Sequence, residues 1–198
     1  MPVYPGDPAV TVTPAATMAA DGYRVTSLSI STHAGTHVDA PSHLLPDGPT
    51  LSDYPIEAFS MDARLVDVTV GPREPIEPDA VPDGTGADVV VFRTGFDARW
   101  GRDRYRDHPY LAVETADALA ERGQHVALDA ASPDPSPSPR ADADGPDGYP
   151  AHRALFARDR LVFENLRGLD GLPSRFRLDA FPLRIGADGA PVRAVAVF

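Results

Sequence analysis

Tyr23-Arg24-Val25-Thr26-Ser27-Leu28-Ser29-Ile30 alternates as a strand does. It delivers the chain into His33-Ala34-Gly35-Thr36-His37-Val38-Asp39-Ala40-Pro41-Ser42-His43, where three of the six histidines and one carboxylate crowd together. Imidazole and carboxylate are the ligand set for zinc, manganese or iron, and a further imidazole nearby is the usual proton carrier. His33 and His37 have the spacing that a helix would place on one face, but Gly35 and Pro41 argue against a helix. The expectation is an irregular loop at a strand end that aims His33, His37 and Asp39 at one point. The plainer alternative is a polar loop whose histidines bond backbone groups.

Working outward, the composition narrows the chemistry. The 198 residues suffice for one domain with a substantial core, 1–198, and no internal repeat divides them. The chain has no cysteine, so thiolate metal sites and a cysteine nucleophile are excluded, and any metal is held by nitrogen and oxygen. Net charge is −11 and all 18 basic residues are arginine. That balance disfavours nucleic acid and anionic membranes as partners, and the absence of lysine rules out Schiff-base chemistry. No apolar run is long enough to span a membrane and no secretory signal opens the chain, so the expected location is cytoplasmic.

The remaining segments read as a mixture of strands and a few helices. Val3 to Pro8 is an extended entry and a Pro-Gly turn, with Tyr4 a candidate pocket wall. Strands are expected at Ala9 to Thr13, Leu65 to Val70, Asp88 to Thr94, Val126 to Leu128, Leu161 to Phe163, Phe176 to Pro182 and Val192 to Phe198. The continuous apolar run Val89-Val90-Val91-Phe92 marks a strand buried on both faces. Its exit, Arg93-Thr94-Gly95, is expected at the pocket rim. Ala112 to Arg122 has helical periodicity and Gly123 as its stop. A second helix is expected over Ala151 to Arg158, with His152 in its first turn, and a short one within Glu77 to Val81. Pro133 to Pro150 is rich in Pro, Ser, Asp and Gly, which predicts a mobile loop. His108, before Pro109, reads as a loop hydrogen-bonding residue, and His125 as a structural one. The sum is a mixed α/β domain with a sheet or open barrel.

His152 and Glu164 are the candidates that complete a metal site, since a glutamate directly after an apolar strand needs something positive to meet it. Each also has a plainer reading: His152 decorating a helix start, Glu164 pairing with a nearby arginine.

The pattern His33-x-Gly35-Thr36-His37-x-Asp39-x-Pro41-x-His43 resembles the signature of the metal-dependent cyclase family, the kynurenine formamidase-like and isatin hydrolase-like enzymes. The resemblance continues through Tyr4 to Pro8, Phe92 to Gly95, Asp129 to Ser132 and His152 to Leu166, nearly the entire chain. It implies a swivelling β/β/α fold, a homodimer or higher oligomer, and hydrolysis of small aryl or cyclic amides with zinc or manganese, one or two ions per chain. His33 and His37 would hold the first metal, Asp39 would ligate or bridge, His152 would serve a second metal and Glu164 would be shared. His43 would be the general acid/base, outside the ligand set.

Three features depart from that family pattern. The chain begins where relatives have already run through a first strand. Tyr4 stands where formamidases of tryptophan breakdown have a tryptophan, and the Pro133 to Pro150 loop is longer. These leave room for a natural-product role on the same metal, such as lactone or lactam opening, cyclisation or dehydration. A non-catalytic binding protein on the same fold is disfavoured by His43, which a binding module has no need of.

Overall fold

The computed structural model describes residues 3–82, 84, 86–141 and 147–198. The chain opens with a hairpin, β1 (Thr11–Ala16) and β2 (Val25–Ser29), joined through one turn of helix, α1 (Met18–Asp21). Then come β3 (His37–Asp39), β4 (Ser60–Asp67), β5 (Pro75–Ile76), β6 (Val89–Arg93) and β7 (Tyr110–Leu111). Helix α2 (Val113–Glu121) leads to β8 (His125–Leu128), and α3 (Pro150–Phe156) leads to β9 (Val162–Glu164). The chain finishes with β10 (Arg175–Asp179), β11 (Gly189–Pro191) and β12 (Val195–Val197).

Eight strands form one mixed sheet in the order β11-β3-β9-β8-β6-β4-β10-β12, curled into a half-barrel. Its centre is parallel (β4, β6, β8 and β9), with α2 in the crossover from β6 to β8, α3 in that from β8 to β9, and a long connection carrying β5 between β4 and β6. Strands β3, β10, β11 and β12 run antiparallel at the flanks. The mixed α/β reading and the open-barrel form are therefore both found.

Strand alternation divides the core in two. Val89 and Val91 of β6 join Val38, Phe163, Phe176 and Leu178 on one face, whereas Val90 and Phe92 join Leu119, Leu155 and Phe156 under the helices. The apolar run of β6 thus has a partner on both sides, and its four apolar residues are fully buried. Truncating such a side chain, as in Phe92→Ala, costs about 3–5 kcal/mol. Arg158, just past α3, ties the helices together by bonding Asp117 and Glu121 of α2.

Some expectations need correction. The histidine stretch is not wholly irregular: residues 37–39 form β3, inside the sheet, followed by a 3-10 turn over Pro41–His43. The reason is the period of two in His37-Val38-Asp39, which sends Val38 into the core and both polar side chains to the other face. The helix expected within Glu77 to Val81 is a single 3-10 turn, Pro78–Ala80. The last two strands are shorter than their patterns, and β11 lies between them in sequence. The loop expected to be mobile falls partly on 142–146, outside the described residues. Its beginning is packed inside, with Pro133, Asp134 and Ser136 buried. Among the described residues, no helix is long and apolar enough to cross a membrane.

Candidate metal centre

The sheet assembles the site. In the antiparallel pairing of β3 with β9, His37 lies directly opposite Glu164. Cross-strand partners share a face, so register alone brings together two residues more than a hundred positions apart. Asp39, two residues along β3, joins them on that face. On the other side of β3, Gly189 of β11 faces Asp39. A Cβ at Gly189 would stand 2.8 Å from Cε1 of His33, so only glycine leaves room for that ring. Gly35, at φ 75°, makes the left-handed bend between His33 and His37. Packed on the same face as His37 and Asp39, α3 contributes His152.

These five side chains interlock. Asp39 Oδ1 lies 2.7 Å from His33 Nδ1 and 3.1 Å from His37 Nε2, and its Oδ2 lies 3.6 Å from His152 Nε2. Glu164 Oε2 is 3.4 Å from His37 Nε2, and Oε1 is 3.3 Å from His152 Nε2. Each carboxylate therefore stands between imidazoles on both of its oxygens. Two trios, His33–His37–Asp39 and Asp39–His152–Glu164, are each close enough to surround one cation. A third, His33–His43–Asp188, has similar spacing.

Each of the three inner histidines has its other nitrogen bound. His37 Nδ1 donates to the Gly35 carbonyl at 2.8 Å. His152 Nδ1 bonds the Asp134 carboxylate at 2.7 Å, and Asp134 also accepts the backbone N–H of Ala151 and His152. His33 Nε2 bonds Asp188 at 2.9 Å. This is how metal-ligating histidines are oriented: an outer carboxylate or carbonyl fixes the tautomer and leaves one nitrogen for the ion. His152 Nε2 is buried without a hydrogen-bond partner, an orphan that a cation would satisfy. The donor set is all nitrogen and oxygen, the chemistry of a divalent cation site.

The electrostatics agree. Burial alone would neutralise the inner histidines, yet Asp39 and Glu164 hold His37 above its ordinary value. For His152, burial is outweighed by the bond to Asp134 and the nearby Asp39 and Glu164 carboxylates, and for His33, raised to about 9, by Asp39 and Asp188. Asp39 resists burial in the other direction and is held well below its ordinary range by His37, His152 and His33. The pocket is built to hold positive charge.

The site opens on a cavity of about 820 Å³. His43 lines it, with its ring centroid 4.1 Å from that of His33 and its Nδ1 3.3 Å from Asp188 Oδ2. Burial, reinforced by the nearby His33 and His152 charges, pulls the His43 pKa down despite Asp39. Tyr4 lines the cavity too, and its hydroxyl is buried without a partner. Trp100, Arg102, Tyr105 and Arg106 form another part of the wall.

Arg93-Thr94-Gly95, expected at the rim, is not part of that lining. Thr94 and Gly95 instead hold Asp129 through two backbone N–H groups and a hydroxyl, which commits that carboxylate to closing the ends of β6 and β8. His108 and His125 are structural, as read: His108 bonds the Pro109 carbonyl and Ser136, and His125 accepts the Leu161 N–H. Sequence reasoning missed Asp134 and Asp188. The first is hidden in the low-complexity loop. The only signal for the second is its place in an Ala-Asp-Gly turn.

Residues 1–135 match the family described as "Putative cyclase". A kynurenine formamidase of Salinibacter ruber is 37% identical over 200 residues, 98% of this chain and 90% of that one. The chain belongs to the cyclase family. A second kynurenine formamidase, from Maricaulis maris, is 36% identical over 98% of this chain and 91% of that one. Among solved structures, one titled as a potential metal-dependent hydrolase with cyclase activity is 26% identical with a TM-score of 0.74, covering 99% of this chain and 90% of that one. An isatin hydrolase bound to thioisatinate superposes with a TM-score of 0.81 over 96% of this chain and 81% of that one, at 22% identity, a likeness of fold.

Proposed function

We propose that this cyclase-family chain is a metal-dependent hydrolase that cleaves the C–N bond of a small aryl or cyclic amide. The observation that carries the reading is the pairing of His37 with Glu164 beside Asp39, completed by the bare Nε2 of His152. His33, His37 and Asp39 would hold one zinc or manganese ion, and Asp39, His152 and Glu164 a second. When bound, such an ion polarises a carbonyl and makes water nucleophilic near neutral pH.

The chain's own residues supply the rest. Asp188 holds His43 by Nδ1, which leaves Nε2 free of that contact for proton transfer. His43 takes a proton from the attacking water and gives it to the leaving nitrogen as the C–N bond breaks. Water's oxygen ends in the carboxylic acid and its two protons are shared between acid and amine. A positioned imidazole in this role contributes about 10²–10⁴ in rate. Tyr4, with its ring in the wall and its hydroxyl unpaired, would bind the substrate. The kynurenine formamidase relatives support an aryl formamide, and the cavity has room for a bicyclic ring.

We also propose a cytoplasmic homodimer. Family resemblance supports it, as does the hairpin of β1 and β2, which leaves Val12, Met18, Tyr23, Val25 and Leu28 largely exposed. Light scattering at working concentration gives a dimer mass on this reading, and a monomer contradicts it. The functional test is metal analysis of protein purified without added metal, with a screen of formanilides, isatins and lactams in ¹⁸O-water. Hydrolysis puts one label in the acid product. Cyclisation or dehydration puts none there and overturns the reading.

A further inference from the structure

Asn165 follows Glu164 directly, and its backbone is left-handed at φ 60°. Among the described residues, only Arg73, Tyr149, Asp159 and Asn165 share that conformation without being glycine. Glycine would adopt it at no steric cost, whereas a side chain there costs on the order of 1 kcal/mol. The surroundings hold Asn165 in place. Its N–H donates to the Ala130 carbonyl at 2.9 Å, and its carbonyl accepts the Thr36 hydroxyl at 2.7 Å. Its Oδ1 accepts the Tyr105 hydroxyl at 2.8 Å.

That last bond fixes which way the amide faces. Tyr105 is buried, and among the described residues its hydroxyl has no other partner, so turning the amide over would strand a buried O–H. The Nδ2 group is thereby directed away from Tyr105 and has no acceptor among the described residues. Asn165 lines the same cavity as His37, His43 and Glu164. A strained residue, locked at three points, presents a spare double donor beside the candidate metal centre.

We propose that Asn165 Nδ2 donates a hydrogen bond to the substrate's carbonyl oxygen as negative charge develops on it. This rests on the hydrolase reading above for the identity of the substrate. Donors fixed in advance at such a position do not have to reorganise during the reaction, and loss of one lowers kcat by about 10²–10³. Tyr105 is then a positioning residue, acting through the amide.

The test uses Asn165→Gly, Asn165→Asp and Tyr105→Phe in the metal-loaded protein. Asn165→Gly relieves the left-handed strain but leaves the buried Tyr105 hydroxyl without its partner, so its melting temperature falls modestly while it stays folded and metal-loaded, and kcat falls by about 10² with KM within a few-fold. Asn165→Asp keeps the bond from Tyr105 but removes the donor, and falls at least as far. Tyr105→Phe frees the amide to turn and loses about tenfold or less in kcat, a change that loss of a buried hydroxyl elsewhere would not produce. A second readout is independent of turnover: phenylphosphonate, a tetrahedral anion, binds Asn165→Gly at least tenfold more weakly than wild type by calorimetry. Folded, metal-loaded Asn165→Gly with unchanged kcat or unchanged phosphonate affinity overturns the proposal, as does an effect confined to KM. If the wild type hydrolyses no amide, the hydrolase reading fails, while the phosphonate comparison still decides the role of Asn165.

Discussion

Apart from His43, which lines the cavity partly exposed, the histidines of this chain fall into two contrasting sheltered environments. His33, His37 and His152 sit between Asp39, Glu164, Asp134 and Asp188, and each is held above its ordinary pKa. His108 and His125 sit among apolar and backbone groups, and burial pulls each down to about 4. The residue type is the same and the degree of burial is similar. What differs is the neighbour on each ring nitrogen. Carboxylates facing at least one ring nitrogen, as at His37, or both, as at His33 and His152, make a place for a cation, whereas a carbonyl and a hydroxyl, as at His108, make a satisfied neutral ring.

The largest effect that can break this contrast is on activity. His37→Ala removes the nitrogen shared by Asp39 and Glu164, and amide hydrolysis is expected to fall to background together with bound metal, measured by kcat and metal stoichiometry on one preparation. Next in size is His43→Ala, which should lower kcat by about 10²–10⁴ while leaving the metal in place. If that variant loses its metal as completely as His37→Ala, then the trio His33–His43–Asp188 is a ligand set and the division of roles is wrong.

Smaller again is the effect of the outer carboxylate. Asp134→Asn loosens His152 without removing it, and metal affinity should weaken by about 10–100-fold in a chelator competition. An unchanged affinity would mean that Asp134 serves only to cap α3.

The smallest effect on activity belongs to His108, where the consequence is for stability. Its ring is neutral in the folded chain down to about pH 4 but takes a proton near 6.5 when unfolded. The unfolded state therefore binds the extra proton, and His108's contribution is complete above pH 6.5 and lost as the pH falls toward 4. By about 1.4 kcal/mol per pKa unit, it amounts to roughly 3 kcal/mol. Urea unfolding of wild type and His108→Asn at pH 7.5 and 4.5 isolates it, because the titration of the metal site is common to both. The variant's stability should fall less between the two pH values, and equal falls would refute the assignment.

The sequence disclosed one side of the contrast more fully than the other. The alternation and apolar runs of β6, β8 and β9 were legible because burial on both faces demands them. His33, His37 and Asp39 stood out as candidate ligands from their crowding in one loop, whereas spacing alone left His152 and Glu164 open and the family resemblance brought them into the candidate set. Their convergence depends on the register of β3 against β9, a long-range pairing that local pattern does not encode. Strand β11 was illegible for a physical reason: Gly189, Ala190 and Pro191 are poor strand formers, tolerated because β11 lies at the sheet edge and Gly189 must make way for His33. Asp134 and Asp188 escaped because a lone aspartate in a turn is ordinarily solvated. Only the fold reveals that each of these two holds a histidine.

The central claim is that the carboxylate-flanked histidines, and not the others, hold a cation. It is tested most directly by the metal bound per chain in wild type, His152→Ala and His125→Asn, each purified without added metal and analysed at pH 7.5. The account predicts metal in the wild type, the same content in His125→Asn, and a clear loss in His152→Ala, whose Nε2 is the buried atom left without a partner. A wild type with no bound metal, or a His152→Ala variant that keeps the wild-type content, would contradict it.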